Sequence, residues 1–230
     1  MKKIGFISVI IMVIGLCTGM VFKYHCRDEG IMDICTIEDI RELDCNVNQI
    51  FTKEEVASFV NSGKESFEQL SGEVEIYIVH PMNHFIQYSD TMLQELEIVD
   101  VIRGESKENE IIRTVQLGGI YDQKYNPVDT FENTRPLFRG MRNLLFSEYQ
   151  YLIFIEPLAL NKYTEMKQYR FENSLFGSFN ITSDYSLPID KPANQIAYND
   201  FGDSEFLCDT QETLDQILEL KHSVLERYLP

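Results

Sequence analysis

Met92-Leu93-Gln94-Glu95-Leu96-Glu97-Ile98-Val99-Asp100-Val101-Ile102 alternates with a period of two, and Glu110 to Leu117 repeats that period after the polar stretch Arg103 to Asn109. Successive side chains of a strand point to opposite faces, so the period predicts two strands, and the intervening turn makes them an antiparallel hairpin. Leu93, Glu95, Glu97, Val99 and Val101 fall on one face; Met92, Gln94, Leu96, Ile98, Asp100 and Ile102 fall on the other. Apolar residues occupy both faces toward the end, the pattern of a strand that passes from an edge into a core. Gly118-Gly119 stops the second strand.

Working outward, Val74 to Val79 predicts a strand on the N-terminal side, and Tyr149 to Ile155 forms the strongest apolar strand, ended by Pro157. Tyr169 to Ile181 supplies another strand or a hairpin around Gly177, and Ile196-Ala197-Tyr198 a short one. Thr36 with Asp39 is spaced as a capping box for a helix over 37–45. Thr52-Lys53-Glu54-Glu55 starts a second helix, with Val56, Phe59 and Val60 on one side and Gly63 as its expected left-handed stop. Asp209 and Glu212 are expected to cap a final helix over 211–228, whose buried stripe runs through Leu214, Ile217, Leu218, the stem of Lys221, Val224, Leu225 and Tyr228. Strands between terminal helices define an α+β fold.

The N-terminus sets the expected location. Lys2 and Lys3 precede Ile4 to Phe22, nineteen residues without a charge. Such a run is long enough to cross the ~30 Å hydrocarbon core of a bilayer as a helix. An uncleaved signal anchor fits better than a cleaved leader, because the run is long for a cleaved leader and Gly15-Leu16-Cys17 and Cys17-Thr18-Gly19 are only fair cleavage sites. It fits better than a lipobox because Leu16, not a small residue, precedes Cys17. Lys2 and Lys3 then mark the cytoplasmic side, giving a single-pass protein of the cell membrane with its C-terminal part outside. The whole chain of 230 residues carries 20 basic and 37 acidic side chains, a formal charge of −17. That excludes nucleic acid as a partner, since phosphates are repelled.

Cys26, Cys35, Cys45 and Cys208 lie beyond the apolar run, and four cysteines in an oxidising compartment permit two disulfides in three connectivities; buried thiols are the alternative. Their spacing is not that of a zinc knuckle. His80-Pro81-Met82-Asn83-His84 is the only paired histidine motif, and Pro81 makes it a loop after a strand rather than a metal-binding helix turn. His25 and His222 have no evident partners. Ile120 to Gly140 is polar, and Asp122, Asp129, Glu132, Arg135, Arg139 and the following Arg142 make it charged at both signs, an insertion of unusual length for a compact domain.

A resemblance rests on the hairpin and the strand after it. Glu97-Ile98-Val99-Asp100-Val101-Ile102-Arg103-Gly104, then Glu110-Ile111-Ile112-Arg113-Thr114-Val115-Gln116-Leu117-Gly118-Gly119, then Tyr149-Gln150-Tyr151-Leu152-Ile153-Phe154-Ile155 resemble a pattern of Gram-positive surface proteins. Those proteins are built on OB-type barrels similar in outline to the tissue-inhibitor-of-metalloproteinase domain. The resemblance spans about 74–181 and implies a small antiparallel OB-like β-barrel flanked by N- and C-terminal helices, behind a transmembrane helix. The inhibitors act through an N-terminal cysteine, which an attached anchor denies this chain, so their activity does not carry over.

The expected organisation is an anchor over 1–23, a helical linker region over 24–72, the β-domain over 73–208 with its 120–140 insertion, and a helix over 209–230. No hydrolase, phosphate-loop or dinucleotide motif is present, so no catalytic, cofactor or metal residues are assigned. The functional expectation is a non-catalytic, membrane-anchored extracytoplasmic module that binds an unknown protein or cell-wall partner. Tyr121, Tyr125, Tyr149, Tyr151, Tyr163 and Tyr169 are its candidate contacts. An extracytoplasmic hydrolase and an inhibitor or immunity-type protein are the alternatives.

Overall fold

Tyr151-Leu152-Ile153-Phe154-Ile155 is a continuous apolar run because both of its faces are buried. Tyr151, Ile153 and Ile155 point into one core cluster, while Leu152 and Phe154 point into another. The computed structural model of the protein describes residues 31–32, 36–88, 91–117, 119–121, 136–158, 166–192 and 195–229. Within them the strands are β1 Ile31–Met32, β2 Asn46–Val47, β3 Glu75–Tyr88, β4 Thr91–Arg103, β5 Ile111–Leu117, β6 Gly119–Tyr121, β7 Leu137–Arg139, β8 Tyr151–Pro157, β9 Gln168–Phe171 and β10 Ser178–Asn180. The helices are α1 Ile37–Glu42, α2 Val56–Glu68 and α3 Gln211–Tyr228.

β3, β4, β5, β9 and β8 pair in that order, and β8 pairs back onto β3, which closes a five-stranded barrel. The β4–β5 pair is antiparallel, with Thr91 opposite Leu117 and Glu97 opposite Ile111. Met92, Gln94, Leu96 and Ile98 turn inward and are buried. A second, three-stranded sheet runs β2-β7-β6. α2 and α3 cover the outer side of β3 and β8, and Val56, Val60 and Phe67 meet Ile217, Leu220 and Val224 in one cluster with Phe154.

The expected architecture is corrected on two counts. Among the described residues no helix is long and apolar enough to cross a membrane, and the stretch 4–22 lies outside them. The barrel is not antiparallel throughout, because β5 and β9 run parallel, with Arg113 opposite Gln168 and Val115 opposite Arg170. The reason is topological. A closed ring with an odd number of strands cannot alternate direction all the way round, so one neighbouring pair must be parallel.

Local expectations fare unequally. The Thr36–Asp39 capping box forms: the Asp39 N–H donates to Thr36 Oγ1 at 3.3 Å and the Thr36 N–H to Asp39 Oδ2 at 2.8 Å. α3 occupies the expected span, with Thr210 rather than Asp209 as its N-cap. Gly63 does not end α2; it lies inside the helix, where a side chain would stand 2.8 Å from the Phe176 ring and 2.9 Å from Leu220 Cδ2. The His80 to His84 stretch is not a loop but part of β3, with an irregularity between Pro81 and Phe85 that absorbs the missing proline N–H. Tyr169 to Ile181 is no hairpin, since β9 and β10 lie along the same side of β8. Ile196 to Tyr198 makes one isolated antiparallel bridge, Ala197 opposite Asn46, rather than a full strand, and leads into a 3-10 turn over Tyr198–Phe201.

Candidate functional site

β9 and β10 are one strand interrupted by a four-residue excursion. The Glu172 N–H donates to the Phe154 carbonyl at 3.0 Å, and the Phe154 N–H donates to the Gly177 carbonyl at 2.8 Å. Residues 173–176 therefore loop out from a single position on β8. Asn173 shapes the loop, its Oδ1 accepting the N–H groups of Leu175 at 2.9 Å and Phe176 at 3.0 Å. The loop drops Phe176 into the core. Pairing between β5 and β9 runs only as far as Val115 and Arg170.

A cleft of about 940 Å³ lies beside this interruption. Met92, Phe138, Leu144 and Phe171 give it apolar walls. Asn48, Gln49, Gln116 and Ser174 supply uncharged hydrogen-bonding groups, and Arg142, Arg170 and Glu172 the charged ones. The Arg170 guanidinium is engaged by Glu156 at 2.6 and 2.9 Å, and both Glu172 oxygens accept from the Ser66 hydroxyl, at 2.8 and 2.6 Å.

Arg142 belongs to an internal ion cluster with a definite structural task. The hydrogen bonds of Gly177 and Ile181 to β8 turn the main-chain groups of Ser178 and Asn180 the opposite way. No strand meets them among the described residues. Side chains take its place: Arg142 Nη1 donates to the Ser178 carbonyl at 2.8 Å and to the Leu175 carbonyl at 3.3 Å, and Glu205 Oε1 accepts the Asn180 N–H at 2.8 Å. The two charges stand 3.6 Å apart. Lys221, fully buried on α3, donates to Glu205 Oε2 at 2.9 Å and to the Ser183 carbonyl at 2.7 Å, and pairs with Asp184 at 2.8 Å. Burial pushes the Glu205 carboxyl up, against the pull of Lys221 and Arg142. His222, which has no partner evident in the sequence, meets Asp184 at 2.9 Å.

A second polar network seals the end of the barrel. The Tyr77 hydroxyl donates to Glu75 and accepts the Ser106 N–H at 3.1 Å. Ser106 Oγ lies 3.1 Å from the Tyr169 hydroxyl and 3.0 Å from Lys167 Nζ, and Lys167 pairs with Glu110 at 3.1 Å. A serine beside a lysine is a nucleophile only when the amine is neutral and can take the proton. Burial works to lower the Lys167 amine, but Glu110 outweighs it and holds the ammonium above its ordinary range. The pair therefore lacks a base, and none of its members reaches the cleft.

Among the described residues, those singled out in the sequence do not assemble. Among the described residues no three His, Cys, Asp or Glu side chains stand close enough to hold a metal ion. Cys45 and Cys208 are buried in separate core clusters, and burial pushes the Cys208 thiol up to about 12. Cys17, Cys26 and Cys35 lie outside the described residues, as do Tyr125, Tyr163 and the 122–135 part of the insertion. Tyr151 and Tyr169 are core residues rather than contacts, and Tyr149 is half-buried. The stems of the insertion pair as β6 and β7. Asn48, Gln49, Gln116 and Arg142 carry no motif, and only the fold brings them to one place.

Fold and site together define a small closed barrel with a lateral cleft and an internally capped strand edge. Compared with family models, curated proteins and solved structures, the chain matches none.

Proposed function

We propose that this chain is a membrane-anchored, extracytoplasmic binding module that holds its partner without chemically changing it. The observation that carries the reading is the make-up of the cleft. Its described lining contains no His, Lys, Cys, Tyr or Asp, and its one carboxylate, Glu172, is engaged by Ser66. A hydrolase needs a nucleophile or acid within reach of a base, whereas recognition needs apolar walls with a few placed polar groups. The cleft has the second kind of lining. The uncharged stretch 4–22 behind Lys2 and Lys3 supports the anchored location.

The test is site-specific photo-crosslinking in the cells that make the protein. A photoreactive residue replacing Gln49 is expected to trap one dominant partner, and the same residue replacing the exposed Glu219 on α3 is expected not to. Equal adducts from both positions would remove the cleft as the binding site. Turnover of a hydrolase substrate by the purified full chain, abolished by Glu172→Gln, would overturn the non-catalytic reading.

A further inference from the structure

We infer that the cleft takes an uncharged oligosaccharide, an inference that rests on the binding reading above and narrows it. Charge is the first argument. Arg170 pairs with Glu156 at 2.6 Å, Arg142 stands 3.6 Å from Glu205 with its Nη2 buried and making no hydrogen bond, and Glu172 accepts from the Ser66 hydroxyl. The cleft thus has no unmatched cation to draw an anionic ligand out of the field of a chain carrying −17. It holds a single carboxylate, Glu172, whose charge the Ser66 hydroxyl leaves in place, and one carboxylate with no second anionic ligand beside it is a poor cation site.

The second argument concerns main-chain pairing. An extended peptide adds to a sheet through a free strand edge, where backbone hydrogen bonds supply the affinity. The edge of β10 that borders this cleft is already taken: Arg142 holds the Ser178 carbonyl and Glu205 holds the Asn180 N–H. β5 is paired with β9 as far as Val115, which leaves only Gln116 and Leu117 of that strand beyond the pairing. Among the described residues the cleft offers a peptide little backbone to pair with.

The third argument is the remaining chemistry. Asn48 and Gln49 present carboxamides, Ser174 a hydroxyl, and Gln116 a carboxamide whose nitrogen also donates to Gln94 Oε1 at 3.5 Å. Carboxamides and hydroxyls both donate and accept, which matches sugar hydroxyls that do the same. Phe171, half-buried on the wall, provides apolar surface for the C–H face of a pyranose ring. About 940 Å³ accommodates a short oligosaccharide.

Isothermal titration of the full-length protein in detergent against a panel of uncharged oligosaccharides, acidic oligosaccharides and extended peptides tests this. At least one uncharged oligosaccharide is expected to bind with an affinity that salt does not change. The paired substitution Asn48→Ala with Gln116→Ala is expected to weaken it about tenfold or more, while Glu219→Ala leaves it unchanged. Unaltered thermal unfolding of the paired variant separates this from loss of fold. Binding confined to acidic oligosaccharides, or to peptides, overturns the inference. No binding by the panel, with a partner still trapped from position 49, overturns the sugar reading and leaves the binding module standing. No binding and no trapped partner removes both.

Discussion

Lys221 is an amine with no exposed surface, held by Glu205, Asp184 and the Ser183 carbonyl. The helical stripe in the sequence identifies its stem as core-facing, and the stem is. The sequence does not reveal the fate of the charge, because the partners Glu205 and Asp184 stand 16 and about forty residues away and belong to irregular chain. Removing one member of a buried charge cluster leaves the others unpaired, which costs roughly 3–5 kcal/mol. Lys221→Met is therefore expected to lower the urea midpoint by that free energy, although methionine fills nearly the same space. His222→Ala, which removes only an exposed contact to Asp184, is expected to cost under about 1 kcal/mol. Equal midpoints for the two variants would show that the cluster contributes nothing beyond packing.

α2 illustrates how an element is decided by its neighbours. A glycine after an amphipathic stretch reads as a stop, and Gly63 has that position in the sequence. The helix instead continues to Glu68, because Phe67 has a place against Phe154 and Phe179 in the core. Gly63 is needed for close approach, with Phe176 and Leu220 packed over its Cα. Alanine gains up to about 1 kcal/mol of helix propensity over glycine. Overpacking costs typically about 1–3 kcal/mol, and Phe176 stacks on Phe51, so its ring has little freedom to retreat. Gly63→Ala is thus expected to destabilise by about 1 kcal/mol, read as a lower melting temperature; a higher one would mean that the ring moves aside. Gly104 is a second such place. The Tyr77 hydroxyl blocks the place a Cβ would take, and its own bonds to Glu75 and the Ser106 N–H hold it there.

At the scale of the whole molecule, α3 is tied to the rest by carboxylates as well as by its apolar face. Burial favours the neutral form of Asp184, but Lys221 and His222 outweigh it and hold the carboxyl below its ordinary range. Burial acts the same way on Asp209, and there the Thr213 hydroxyl and the Lys53 N–H prevail. A carboxyl whose pKa is lower in the folded state stabilises the fold above its unfolded value of about 3.9, and that contribution fades as pH falls further. Amide exchange in α3 is expected to lose protection below about pH 4 before β8 does. Simultaneous loss in both would mean that α3 opens only with the whole fold.

What the sequence by itself determined about this protein are the features written over a few neighbouring residues. The β4–β5 hairpin is legible because its alternation is local, the α1 capping box because its two residues are three apart, and α3 because its stripe repeats within one helix. Only the tertiary structure decided that five strands close into a ring, that one pair must therefore run parallel, and that a cleft lies beside the looped excursion between β9 and β10. The same holds for the cap on β10, where Arg142 and Glu205 replace a strand. The physical reason is common to all of these. Strand closure, edge capping and cleft lining join residues tens of positions apart, and such contacts leave no period, cap or turn signal in the chain that makes them.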